Sequence, residues 1–261
     1  MPGSSSASSP DPVPAIWLCR EPVQKEARLP SWLRDSEREA LEHFSGQRRH
    51  EYLTSRWLIR QAIAGASGAD PGCCRPVAGR PVASESPDGW RLSISHSRGL
   101  SACATGKGTA LGVDLEPCRR RLNWQKLVRR WFSPGEQQWL LETGSSETFL
   151  QVWTLKEAWL KATGRGIAGN LQTLEVSPEF ELRGDRPEPD WQACCYRLQD
   201  ALVTLVFRQA QTSQELPAIT MLQSPAADFR LDRAAASAEF PAPVLQRPIH
   251  QKPGSPTHDH P

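Results

Sequence analysis

Residues 148–163 constrain the fold more than any other part of this chain. Val152, Trp153, Leu155, Trp159 and Leu160 fall on nearly every side of a helix that Gly164 and Gly166 would end. A helix this apolar must be enclosed by other elements, so the chain has to build a core on more than one side of it. The same helix carries Glu157 and Lys161, four apart and therefore on one face, with Lys156 turned aside by about 100°. A surface pair of this kind would stabilise the helix by only about 0.2–0.5 kcal/mol. On an enclosed helix, the pair instead needs partners from elsewhere in the fold.

Strand-like and helix-like segments alternate along the rest of the chain. Residues 15–19 read as a first strand. A helix begins at Asp35 or Ser36, acceptable N-caps, and buries Ala40, Leu41 and Phe44. After Gly46, a second helix places Leu53, Trp57 and Ile63 near one face, and Leu58 widens the stripe. Residues 65–87 are rich in Gly, Pro and Ala and read mostly as loop. Residues 92–95, 101–105 and 111–116 read as short strands joined by Gly-containing turns. Ser133-Pro134-Gly135-Glu136 is a capping-box helix start with Pro at the first helical position. Residues 171–176, 192–198, 202–207 and 219–222 supply further strands. The class is α+β, two similar halves that each hold a small sheet with one or two helices and meet near residues 106–111.

The expected organisation is a disordered tail over 1–14, an N-terminal subdomain over 15–108 and a C-terminal subdomain over 109–224. A second tail over 225–261 is expected to be disordered or weakly packed. The first tail is rich in Ser and Pro, and the second in Ala, Pro, His and polar residues with little apolar periodicity.

The charge balance excludes some classes. Lys and Arg number 31 against 29 Asp and Glu, with no basic stripe, so a general nucleic-acid binder is disfavoured. No apolar run approaches membrane-spanning length, and the first residues lack a secretory signal. The seven cysteines are odd in number, and Cys73-Cys74 and Cys194-Cys195 are adjacent pairs without the two-residue spacer of zinc and redox sites. Reduced thiols and a cytoplasmic location are the expectation.

Four segments can carry chemistry. In Gly112-Val113-Asp114-Leu115-Glu116, alternation puts Asp114 and Glu116 on one strand face and Val113 and Leu115 on the other. Neighbouring carboxylates repel unless a hard cation with oxygen ligands sits between them, although an acidic edge strand would look the same. The Glu157–Lys161 pair suits a metal–diphosphate site, the carboxylate as a ligand and the ammonium against phosphoryl oxygens. Residues 93–99, Ser-Ile-Ser-His-Ser-Arg-Gly, end a strand and open a turn where hydroxyls, an imidazole and free N–H groups can hold a phosphate, or simply form a polar turn. Arg48, Arg49, Arg56, Arg60 and Arg80 are either solvated helix-surface cations or ligands for a substrate with several phosphates.

In this order the motifs resemble those of the phosphopantetheinyl transferases, in particular the larger, surfactin-synthetase-activating (Sfp) type. The resemblance rests on Gly79-Arg80-Pro81, on residues 93–97 and on residues 112–116. It continues with Phe132-Ser133-Pro134-x-Glu136 and ends with Trp153-x-x-Lys156-Glu157-Ala158-x-x-Lys161-x-x-Gly164. It runs over about residues 16–222 and leaves both tails outside. The resemblance implies a pseudo-twofold pair of subdomains with coenzyme A in the cleft between them. It implies Mg2+ on Asp114, Glu116 and Glu157, the 3′-phosphate of coenzyme A at Ser95 and His96, and the diphosphate at Lys161. Arg80 stands where a lysine is common, which keeps the charge but changes the geometry of contact. Arg48 matches a further coenzyme A contact, with Arg49 as its competitor.

The implied activity is transfer of the 4′-phosphopantetheine arm of coenzyme A to a serine of an apo acyl, peptidyl or polyketide carrier protein, with release of 3′,5′-ADP. Glu157 and Lys161 are the catalytic candidates, and the serine proton has Glu157 or water as acceptor. Carrier proteins are acidic around that serine, and Arg119, Arg120, Arg121, Arg129 and Arg130 offer a complementary cluster. A monomer is implied. Two other readings compete: a Ser-His hydrolase or acyltransferase using Ser95 and His96, and a coenzyme A or nucleotide-binding module without transferase activity. The first lacks the Gly-x-Ser-x-Gly elbow, and the second has no need of three metal carboxylates.

Overall fold

The computed structural model describes residues 12–22, 29–119, 123–209, 215–237 and 242–253. Strand β1 (Ala15–Arg20) is followed by α1 (Asp35–Glu42), α2 (Gly46–Ser67), β2 (Arg75–Pro76), β3 (Ser84–Ser86), β4 (Trp90–Ser97), β5 (Leu100–Lys107) and β6 (Leu111–Pro117). Three helices come next: α3 (Trp124–Trp131), α4 (Pro134–Thr143) and α5 (Ser146–Ala162). The chain closes with β7 (Leu174–Val176), β8 (Leu182–Gly184), β9 (Trp191–Arg197), β10 (Ala201–Arg208), β11 (Ala218–Leu222), β12 (Ala236–Ser237) and β13 (Leu245–Gln251). One sheet has the order β12-β11-β1-β5-β4, the other β6-β10-β9-β13-β8-β7, and β2 and β3 form a separate ribbon.

Strand alternation divides the side chains into layers. Leu53, Trp57, Leu58 and Ile63 of α2 pack with Cys19, Leu92 and Cys103 on the outer face of the first sheet. Leu155, Trp159 and Leu160 of α5 pack with Leu182, Leu202 and Val206 on the outer face of the second. Between the sheets, Ile16, Leu18, Ala102 and Ala104 meet Val113, Leu115, Val203 and Leu205. Both sheets are therefore covered on two sides, which is why β5 and β10 are buried along almost their whole length. The demand that α5 be enclosed is met by α3, α4 and the second sheet together.

Several boundaries differ from the sequence expectation. Strand β11 follows the second half in the chain, yet it pairs parallel to β1 in the first sheet, with Ile16 opposite Ile219. The segment from 225 onward is not loose where it is described. Phe229 is fully buried, and its carbonyl accepts from Trp32 Nε1 at 2.8 Å. Trp57 Nε1 donates to Arg230 O at 2.8 Å and Gln61 Nε2 to Asp232 O at 2.9 Å. Strand β13 sits inside the second sheet, between β9 and β8. This segment is held mainly through its backbone, so it needs no apolar period for a sequence pattern to reveal. Helix α3 was also unanticipated; Asn123 caps it by accepting from Lys126 N. Residues 1–11, 238–241 and 254–261 of the expected tails lie outside the described residues, as do Arg120 and Arg121.

Candidate active site

The site lies where the edges of the two sheets meet. β4 ends the first sheet and β6 ends the second. Serine hydroxyls join them in place of a backbone ladder: Val113 N donates to Ser93 Oγ at 3.0 Å, and Leu115 N donates to Ser95 Oγ at 3.3 Å. The i, i+2 spacing of Ser93 and Ser95 matches the strand period, so both hydroxyls face the same seam. This seam was missed in the sequence, although alternating serines before an Asp-x-Glu strand were its visible sign.

Ser95 Oγ also donates to Asp114 Oδ1 at 3.0 Å. From the other side, α5 delivers Lys161, whose Nζ donates to Asp114 Oδ1 at 2.8 Å and to Val113 O at 2.9 Å. The helix can come this close because residue 112 is glycine. A β-carbon there would stand 2.1 Å from Ala158 O and 2.3 Å from Ala162 N, both backbone atoms of α5. We expect Gly112→Ala to cost about 3 kcal/mol or more by forcing strand and helix apart, a shift readable as a lower denaturant midpoint. Glu157 lies one helical turn before Lys161, half-buried, and Glu116 is buried two residues after Asp114 on β6.

A second group lies at the end of β4. Arg48 Nη1 stands 3.1 Å from His96 Nε2 and 3.4 Å from Glu51 Oε2. Arg49 turns the other way and donates to Leu41 O at 3.3 Å, so Arg48 is the one of the two that stands beside His96. Glu51, absent from the sequence expectation, also lies 3.6 Å from His96 Nε2. Partial burial lowers the His96 pKa below 6.5, Glu51 opposes that, and Arg48 and Lys161 lower it further. The imidazole is therefore neutral at neutral pH, and an anion bound beside it would raise its pKa. We expect binding of a phosphate-bearing ligand to be coupled to proton uptake by His96 and to tighten as pH falls. Calorimetry in buffers of different ionisation enthalpy checks this. Arg80 is exposed on the loop after Gly79 and makes no side-chain contact with these groups among the described residues.

The donors suit a hard divalent cation, since they are carboxylates and Asp114 Oδ2 is buried with no hydrogen-bond partner among the described residues. As they stand, however, no three His, Cys, Asp or Glu side chains among the described residues converge enough to hold one. In this conformation the Lys161 ammonium pairs with Asp114.

Lys156 has a different task from its neighbours. It is fully buried, and its Nζ lies 2.7 Å from Glu136 Oε1 while donating to Leu171 O and Leu174 O at 2.8 and 2.5 Å. Burial lowers its pKa, and Glu136 opposes the shift. Glu136 completes the capping box of α4 through Ser133 and accepts from Val176 N at 3.0 Å. One ion pair thus locks α5 to α4 and to the chain entering β7.

Two family models match the chain. Residues 36–106 match the 4′-phosphopantetheinyl transferase N-terminal domain, and residues 110–209 match the 4′-phosphopantetheinyl transferase superfamily. Among curated proteins, the 4′-phosphopantetheinyl transferase HetI of Nostoc sp. is 31% identical over 50% of this chain and 58% of its own length. The chain thus spans less than two thirds of that relative. A 4′-phosphopantetheinyl transferase of Bacillus subtilis is 30% identical over 58% of this chain and 69% of its own length. The 4′-phosphopantetheinyl transferase Sfp of Bacillus subtilis is 26% identical over 69% of this chain and 83% of its own. The boundary between the two matched stretches falls between β5 and β6, where the chain passes from the first sheet to the second. These likenesses show that the chain belongs to the 4′-phosphopantetheinyl transferase superfamily of enzymes.

Proposed function

We propose that this protein transfers the 4′-phosphopantetheine moiety of coenzyme A to a serine of an apo acyl or peptidyl carrier protein, releasing 3′,5′-ADP with Mg2+ bound. The observation that carries this reading is the convergence of Lys161 from α5 and Ser95 from β4 on Asp114 of β6. It places an ammonium and a carboxylate set at the meeting of two sheets, where a diphosphate needs both.

Asp114 and Glu116, with Glu157 from α5, would hold Mg2+, which when bound supplies neutralisation of diphosphate oxygens. Lys161 offsets the charge that grows on the leaving diphosphate oxygen. Arg48 and His96 receive the 3′-phosphate, Ser95 holds the strand end from which His96 projects, and Arg80 adds a cation at the nucleotide end. The carrier serine oxygen bonds to the β-phosphorus as the bond to the bridging oxygen breaks, and that electron pair leaves with 3′,5′-ADP. The serine proton goes to Glu157 or to water.

The Sfp-type subclass is part of the same reading, supported by separate family matches on the two halves. So is a pseudo-twofold relation between subdomains over 15–108 and 109–224, supported by one long helix on the outer face of each sheet. A cytoplasmic monomer fits the cysteines, all free among the described residues, and no described helix is long and apolar enough to cross a membrane. The carrier docks on α3 and the start of α4, where Arg129 and Arg130 close the last turn of α3. Reversing both charges is expected to raise the carrier KM about tenfold with kcat held, read from initial rates at varied carrier.

The test is incubation with coenzyme A, Mg2+ and a panel of apo carriers, each then weighed by mass spectrometry. A gain equal to one phosphopantetheine ester that disappears with chelator supports the proposal. Coenzyme A binding without a gain on any carrier of a broad panel would favour the binding-module reading.

A further inference from the structure

In the second sheet, among the described residues, β7 and β8 reach β9 only through β13. The first part of β13 runs antiparallel to β9, from Leu245 opposite Cys195 to Pro248 opposite Gln192. The strand then changes partner and runs parallel to β8, with Ile249 opposite Leu182 and Gln251 opposite Gly184. Backbone bonds secure both ends: Val244 N to Cys195 O and Lys252 N to Gly184 O, each 2.8 Å. Beyond the strand, Lys252 Nζ donates to Gln172 O at 2.5 Å and lies 3.0 Å from Glu175 Oε1.

The unit that β13 grips is the unit that grips α5. Leu171 and Leu174 supply the carbonyls that hold Lys156 Nζ. Trp159 Nε1 donates to Thr173 Oγ1 at 3.1 Å. Gly184 lies against the Trp159 ring so closely that a β-carbon there would stand 2.6 Å from it. Lys156 and Trp159 flank Glu157, and Lys161 is the next turn. Strand β13 lies outside both family-matched stretches, 36–106 and 110–209.

We infer that β13 is a positioning strand for the transfer reaction: it ties β7 and β8 to the rest of the sheet and so fixes the rotation of α5 that turns Lys161 toward Asp114. The kinetic half of this inference rests on the proposed function, and the structural half does not. Two full-length variants test it. Ile249→Asp places a carboxylate where the side chain is buried, and Lys252→Met removes the ammonium but keeps its stem. Hydrogen exchange and transfer kinetics at saturating coenzyme A are then measured on each. Amides of 171–184 and 155–162 are expected to exchange about tenfold faster, with those of α2 unchanged. The kcat should fall about tenfold while the coenzyme A KM changes less than about twofold, and Lys252→Arg should restore both.

Unchanged exchange in 171–184 and 155–162 of Lys252→Met would overturn the inference, as would faster exchange with kcat intact. If Ile249→Asp also loosens α2, that variant has unfolded globally, and the Lys252 variants decide. Absence of transfer by the unaltered protein would remove the proposed function, and exchange would still decide whether β13 holds α5.

Discussion

Asp114→Ala is expected to reduce carrier modification by about a thousandfold or more, the scale of losing a preorganised electrostatic group at a reacting phosphate. Asp114 touches both sides of the site, since Lys161 and Ser95 meet at its Oδ1. Its removal takes away a cation ligand and leaves the Lys161 ammonium bonded only to Val113 O among the contacts described. Asp114→Asn keeps the shape and should fail as badly, because the amide cannot replace the charge. The measurement is carrier mass under saturating coenzyme A, with circular dichroism to confirm folding. Near-normal transfer by either variant would remove Asp114 from the cation site and with it the core of the proposed mechanism.

The largest stability effect is expected at Glu136. Glu136→Ala leaves a fully buried ammonium without its counter-ion, and breaking a buried pair from one side costs about 3–5 kcal/mol. Lys156→Met strands the Glu136 carboxylate instead, although Ser133 and Val176 still donate to it, so its cost should be smaller. The double variant Glu136→Gln, Lys156→Met should cost less than the sum of the singles, because neither charge is then left alone. The pH dependence has a definite sign. Burial holds the folded Lys156 pKa below 10.5, so the unfolded chain binds more protons in the window beneath that value. Stability from this group therefore rises with pH toward 10.5. Loss of Glu136 lowers the folded pKa further and widens the window, which thermal melts at increasing pH would reveal as a steeper recovery in the variant than in the parent. Additive costs in the double variant would show that the two charges do not depend on each other.

What was legible in the sequence followed from local rules. The capping box at Ser133–Glu136, the alternation through 111–116 and the end of α5 near Gly164 each follow from a few neighbouring residues. The same alternation placed Asp114 opposite Val113 and Leu115, and α5 did bring its charged face to β6. The features that stayed hidden depend on distant partners. Helix geometry turns Lys156 aside from Glu157 but does not say toward what, because its partner stands twenty positions earlier in the chain, at Glu136. Arg48 and Arg49 cannot be told apart until α1 and β4 are in place to claim one each. Strand β13 buries chiefly Ile249 and carries a proline, so neither period nor composition marked it as a strand inside a sheet.

The position of β11 bears on how the protein is made. The first sheet begins with β1, but the neighbour on the far side of β1 is not synthesised until residues 218–222 emerge. The cover over Trp57 and Gln61 comes later still, with residues 229–234. A nascent chain therefore carries α2 and β1 with an open flank through the whole translation of the second half. At about 5–20 residues per second, that interval lasts many seconds. The N-terminal half cannot mature first and wait. Ribosome-bound fragments ending before residue 218 should remain protease-sensitive at α2, and those extending past residue 234 should become resistant.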